Sequence, residues 1–195
     1  MNLTTLDRVR AILEMPEGIT QHDEKLQQLI ESVSASVEDH LGRLCEKKAR
    51  TAILDTEESG TGRLIYLKAW PVASIASVYL DYEGAFPTTS LLDTSSYRLL
   101  QNGELGLLML LTSVECWPSC LKVIYTGGLA STPEDFGKDY PAIASAVDQQ
   151  VVYEFKRSGE IGSDSVSGAG GSVTTGGDQR LIAAVRSTLR PWKKV

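Results

Sequence analysis

Apolar positions at three- and four-residue steps dominate the first part of the chain. Leu3, Leu6, Val9 and Leu13 fall at helical spacing with charges between them, and Met15-Pro16-Glu17-Gly18 stops the run, predicting a short helix over 3–14. From 22 to 44, Leu26, Leu29, Ile30, Val33, Val37, Leu41 and Leu44 form one stripe, predicting a helix of roughly six turns. Thr20 and Asp23 stand at the spacing of a capping box at its start. The period then shortens. Runs rich in Val, Ile, Leu and Tyr at 49–55, 63–68, 72–81, 97–101, 105–111 and 121–126 read as strands. Turn residues at 58–62, 82–84 and 101–104 separate them, and Asn102-Gly103 favours a tight hairpin. Helical spacing returns after Gly127-Gly128: Thr132 can cap a turn opened by Pro133, and Pro141 suits the first turn of a helix over about 139–157. Ile143, Val147, Val151 and Phe155 mark the inner face of that helix.

Residues 158–177 hold seven glycines and five serines without apolar periodicity, a composition that cannot bury enough surface to offset its ordering entropy. A Gly/Ser-rich linker is expected there; fully extended, it would reach roughly 65 Å. Leu181, Ile182, Val185 and Leu189 then form a last amphipathic segment, ended by Pro191. The expected class is α+β: a helical bundle of the N-terminal helix pair, the helix over about 139–157 and the C-terminal helix, with an antiparallel β-subdomain of about 50–127 inserted. The expected organisation is a body over 1–157, a linker over 158–177 and a basic helix and tail over 178–195.

Charge sharpens this division. The net charge is −6, but residues 178–195 carry Arg180, Arg186, Arg190, Lys193 and Lys194 against the single Asp178. The tail is therefore +4 and the remainder −10. An acidic body repels DNA phosphates at short range, whereas the tail suits an acidic partner. No run approaches the 18–20 apolar residues of a membrane span, and Met1 to Asp7 lack the basic flank and apolar block of a secretory signal, so cytosolic synthesis and use are expected.

The chemistry-bearing residues form no constellation. His22 and His40 lie outside ligand spacing of each other and of any cysteine, and both are expected on solvent-facing helix positions. Cys45, Cys116 and Cys120 are odd in number and lack redox or zinc spacing, so they are expected as free thiols. No phosphate-binding loop or nucleophile elbow occurs. Carboxylate pairs such as Glu57-Glu58 and Glu134-Asp135 read as solvated surface. The sequence names no catalytic, cofactor-binding or metal-ligating residue. Trp70, Tyr79, Tyr82 and Trp117 could make a stacking platform for a carbohydrate on the sheet, although aromatics in strands usually serve packing. Trp192, beside Pro191 and two lysines, either folds back onto its own core or anchors a partner.

Three passages carry a family resemblance: the N-terminal helix pair, Leu121-Lys122-Val123-Ile124-Tyr125-Thr126-Gly127-Gly128-Leu129-Ala130, and Pro141-Ala142-Ile143 through Glu154-Phe155-Lys156-Arg157. They resemble the head-tail connector (adaptor) proteins of tailed bacteriophages and phage-like gene transfer particles. In that family a strand ending in Tyr-x-x-Gly leads through a proline-containing turn into a helix. Lys68-Ala69-Trp70-Pro71-Val72-Ala73-Ser74-Ile75 is similar to a passage of its longer members. The resemblance spans most of residues 3–157; the region from 158 matches in kind only. It implies a structural ring protein of the virion neck, assembled in the host cytoplasm, with its helices forming the ring. Such rings typically have twelve subunits, dock under the portal and extend the channel for double-stranded DNA, which passes without specific binding. Implied partners are the portal, a stopper or tail-completion protein, and further copies of the chain. The candidate portal contacts are Arg186, Arg190, Trp192, Lys193 and Lys194, chosen for their charge and their place on the tail. Rival readings are another neck component, such as a stopper or tail terminator, which would be more β-rich, and a small carbohydrate-binding or hydrolytic module on the β-subdomain.

Overall fold

The computed structural model describes residues 1–16, 18–55, 63–112, 119–158 and 181–193. The class is α+β, and the chain divides into a helical unit, Met1–Gly42 with Thr132–Val195, and a β unit, Arg43–Ser131.

In the helical unit, α1 (Leu6–Ile12) and α2 (Asp23–Leu41) are both shorter than their apolar stripes. For α1 the cap decides: the Thr5 side chain accepts from the Arg8 N–H, leaving Leu3 and Thr4 ahead of the helix, where both are buried. The Leu3 N–H donates to Ser34 Oγ at 3.0 Å, tying this lead-in to α2. Residue His22, not Thr20, occupies the N-cap of α2, with no side-chain capping bond, so the expected capping box does not form. At the other end Gly42 turns left-handed (φ 66°) and stops α2 three residues before the periodicity does.

Thr132 caps α3 (Pro133–Asp139) by accepting from the Asp135 N–H, and α4 (Pro141–Ser158) starts on its proline. The last helix, α5 (Ala183–Leu189), runs into a 3-10 turn over Arg190–Trp192. Their apolar stripes meet: Leu26, Ile30, Val33, Val37 and Leu41 of α2 are buried, as are Ile143, Val147 and Val151 of α4. Phe136, Val9, Val185 and Leu189 close the core. Each such side chain contributes about 1.5–3 kcal/mol on leaving water. The expected linker lies outside the described residues, apart from Ser158.

Among its described residues the β unit holds two three-stranded antiparallel sheets. In the first, β1 (Lys48–Leu54) and β3 (Val72–Leu80) flank β6 (Leu121–Gly127). In the second, β2 (Leu64–Tyr66) and β4 (Tyr97–Leu99) flank β5 (Leu107–Leu110). Burial alternates perfectly along β6, so Leu121, Val123 and Tyr125 face a core shared with Ile65, Leu67, Val78, Leu108 and Leu110. β4 and β5 pair as the Asn102-Gly103 dipeptide implies, but through a longer 3-10 connection over Leu100–Gly103. Gln101, Asn102 and Gly103 all take positive φ there.

Cys45 is buried and forms no disulfide, but Cys120 is disulfide-bonded, so the expectation of three free thiols is corrected. Spacing can exclude a redox motif; it cannot exclude a bond. Cys116 lies outside the described residues, as do the turn at 58–62 and Trp117.

Candidate interaction site on the C-terminal segment

Leu181, Val185 and Leu189 are buried, which seats α5 in the helical core. The register is set by Gln150 of α4: its Oε1 accepts from the Ile182 N–H at 2.9 Å, while its Nε2 donates to Glu154 at 2.8 Å. With the apolar side of α5 turned inward, the cations fall on its outer side. Arg190 and Lys193 are exposed and Arg186 is half-buried. The Arg186 Nε makes no hydrogen bond to any described residue. Lys194 lies outside the described residues.

Trp192 does not project. Its ring stands edge-on to Tyr140, 5.8 Å between centroids at 85°, and Tyr140 in turn lies against Phe136. Of the two alternatives for this residue, the structure takes the fold-back onto the helical unit. The indole thereby holds Lys193 and Arg190 on a braced turn.

His40, in the last turn of α2, joins the cluster. Burial, then the positive charges of Lys193 and Arg186, hold its imidazole below the usual value, with Asp39 opposing them. His22 is half-buried with its ring edge-on to Phe155 at 5.5 Å, so neither histidine stands freely on a solvent-facing position. Linear spacing gives no sign of the grouping of His40 with Arg186 and Lys193, nor of Tyr140 as the brace for Trp192. The signal available was only that each lies near an element end.

A group whose pKa is depressed by folding binds its proton more readily in the unfolded chain. The neutral imidazole is therefore favoured in the folded state, and stability should fall as pH drops through and below the ordinary imidazole range. Urea midpoints measured from pH 8 to pH 5 are expected to decline less steeply in His40→Gln than in the parent.

Such a surface can bind carboxylates. Arginine offers paired donors in a planar fork, and lysine adds a mobile point charge. No three His, Cys, Asp or Glu side chains among the described residues gather as a metal site requires. No helix among them is long and apolar enough to cross a membrane.

Among the described residues, Trp70, Tyr79 and Tyr82 of the expected aromatic platform make no ring contact with one another. Trp70 lies half-buried against the β-unit core with the Arg43 guanidinium 3.9 Å from its ring centroid. Tyr79 has the Lys122 ammonium over its ring at 5.1 Å, and Tyr82 is 65% exposed. The groove beside β1, about 430 Å³, is lined by β1 residues with Leu44, Lys68 and Tyr125, and by none of these aromatics.

The fold built from these elements is shared with chains in solved structures of gene transfer agent particles. One lies in the virion of the native gene transfer agent (GTA) particle, with a TM-score of 0.63 and 14% identity, over 99% of this chain and 90% of that one. A second lies in the neck of the empty GTA particle computed with C6 symmetry, at 0.64 and 15%, over 99% and 90%. A third lies in the neck of the native GTA particle computed with C12 symmetry, at 0.62 and 14%, over 97% and 88%. No family model matches the chain, and no curated protein matches it.

Proposed function

We propose that this chain is a structural head-tail connector (adaptor) subunit in the neck of a tailed phage or phage-like particle. Twelve copies form a ring beneath the portal, extend the DNA channel and join head to tail. The observation that carries this reading is a fold shared over almost the whole chain with chains of particle necks, one computed with C12 symmetry. The charge division supports it: outside residues 178–195 the chain is −10, and a channel wall of that sign lets phosphates slide instead of adhering. The role is structural, carried out in the virion neck after assembly in the host cytoplasm. Partners are the portal, a stopper or tail-completion protein, other copies of the chain, and DNA passing through without specific contact.

In this reading Arg186, Arg190, Trp192, Lys193 and Lys194 meet the portal. Trp192 acts as a brace that presents the cations, and carboxylates on the portal take them. Arg190 and Lys193 are exposed, so reversing them leaves the helical core intact. Arg190→Glu/Lys193→Glu is expected to weaken co-sedimentation with the portal at least about tenfold at low salt, with a thermal midpoint unchanged within what about 0.5 kcal/mol would produce. Unchanged portal binding would remove this surface from the docking role.

The primary test is negative-stain imaging with mass determination of the purified protein, alone and with the portal from the same genome. Rings seated on the portal are expected. A persistent monomer that never associates with the portal would overturn the connector reading.

A further inference from the structure

The β unit is electrically polarised along its first sheet. The strand register places Lys48, Gly127 and Val72 at one end and Leu54, Leu121 and Leu80 at the other, separated by about 20 Å for seven residues. At the first end stand Lys47, Lys48 and Lys68, all exposed, and the half-buried Arg50. The Lys68 carbonyl accepts from the Leu44 N–H, which holds the bend after β2 there. Two acids oppose them: Glu46, already bridged by Lys48 at 2.5 Å and Arg50 at 3.3 Å, and Glu104, next to the Gly103 that abuts Val72. The balance is positive.

At the second end Asp55 follows Leu54, Asp81 follows Leu80, and Glu83 is exposed beside it. The Asp81 carboxylate accepts from the N–H groups of Glu83 and Phe86, at 3.1 and 2.7 Å. Those bonds keep it below the usual carboxylate range, so its charge persists into acid. Lys122, lying over the Tyr79 and Phe86 rings, is the cation there.

Between the two ends, β1 is an edge strand whose outer side pairs with no strand among the described residues. The groove along it has Leu44, Ala52 and Tyr125 in its lining, with Arg50 and Lys68 as its charged members and Ile53 left 55% exposed. An exposed edge with an apolar groove and a cationic end is a place for another chain to sit.

We propose that this groove takes the acidic sheet end of a second copy, so that Lys47, Lys48 and Lys68 of one subunit meet Asp55 and Glu83 of the next. The contact rests on the ring reading above and adds a β-unit interface to it. Opposite patches at two ends of one chain can pair either in an antiparallel two-fold dimer or head to tail; only the head-to-tail contact leaves each copy free to bind a third, and it is the geometry that closes into the ring of the reading above. Charge complementarity of this kind fixes register and partner choice.

A charge exchange tests it. Lys47→Glu/Lys68→Glu leaves both ends acidic, and Asp55→Lys/Glu83→Lys leaves both basic. Each variant alone, with the portal present as template, is expected to give at least tenfold fewer rings than the parent by negative stain. An equimolar mixture is expected to restore rings, with native mass spectrometry showing the two chains in equal number. Asp55 also accepts from the Ser119 N–H, so Glu83→Lys alone serves if the double variant does not fold. Rings from either folded variant alone at the parental level would overturn the proposed contact, as would failure of the mixture to recover. Absence of rings from the parent chain on the portal would overturn the ring reading itself.

Discussion

Replacing Asp148 by alanine is expected to cost the helical unit about 3 kcal/mol, read as a lowered urea midpoint in far-ultraviolet circular dichroism. Asp148 is 2% exposed on α4 and holds two groups from the lead-in and first turn of α1. The Thr4 hydroxyl donates to its Oδ1 at 2.5 Å, and the Arg8 Nε to its Oδ2 at 2.6 Å. The partners differ in what they lose. Arg8 is 37% exposed in its side chain, so its guanidinium can rehydrate and contributes the smaller share. Thr4 is buried, and its hydroxyl would be left without an acceptor, a penalty of about 1–3 kcal/mol to which the vacated volume adds. Asp148→Asn keeps the volume and an acceptor for Thr4, and is expected to lose about half as much. Equal losses in the two variants would mean that the charge, not the buried hydroxyl, dominates.

That network also marks where reading along the chain stops. The stripes of α2 and α4 were visible because their period is local, and each of the six strands falls within or within a residue of its predicted run for the same reason. What spacing does not encode is which distant segment supplies a partner. Thr4 and Asp148 meet across the whole inserted β unit. The order β1-β6-β3, with the last strand in the middle, is a choice among pairings that the alternating pattern allows equally. The C-terminal segment shows the same limit: its basic charge and its apolar stripe were both legible, and so was a helix belonging to the bundle, but spacing left open whether Trp192 turns inward or towards a partner. The burial of Leu181, Val185 and Leu189 seats the helix in the core, and Trp192 lies against Tyr140. His40 is perturbed by its burial and then by the field of Lys193 and Arg186, which act through space and leave no spacing to read.

The Tyr125-Thr126-Gly127-Gly128 passage was legible as a resemblance but not as a mechanism, and the structure supplies one. Gly127 ends the central strand β6, paired with Lys48 on one side and Val72 on the other. A Cβ there would fall on the carbonyl oxygen of Ala69 and within 3.2 Å of the Tyr125 ring. Ala69 cannot retreat cheaply, because it is fully buried and its N–H donates to the Tyr125 hydroxyl at 3.1 Å. Gly127→Ala must therefore displace backbone against backbone and break that hydrogen bond. A loss of at least about 3 kcal/mol is expected, measured as a lower urea midpoint. Gly128→Ala should cost more. Its φ of +122° is a conformation L side chains rarely adopt, and its Cβ would meet the Glu46 carbonyl. The aromatic is part of the same device: Tyr125→Phe leaves the buried Ala69 N–H without its acceptor and is expected to cost about 1–2 kcal/mol with the packing preserved. If Gly127→Ala were tolerated while Tyr125→Phe was not, the glycine would serve the turn that follows, and the close approach to Ala69 would not be what requires it.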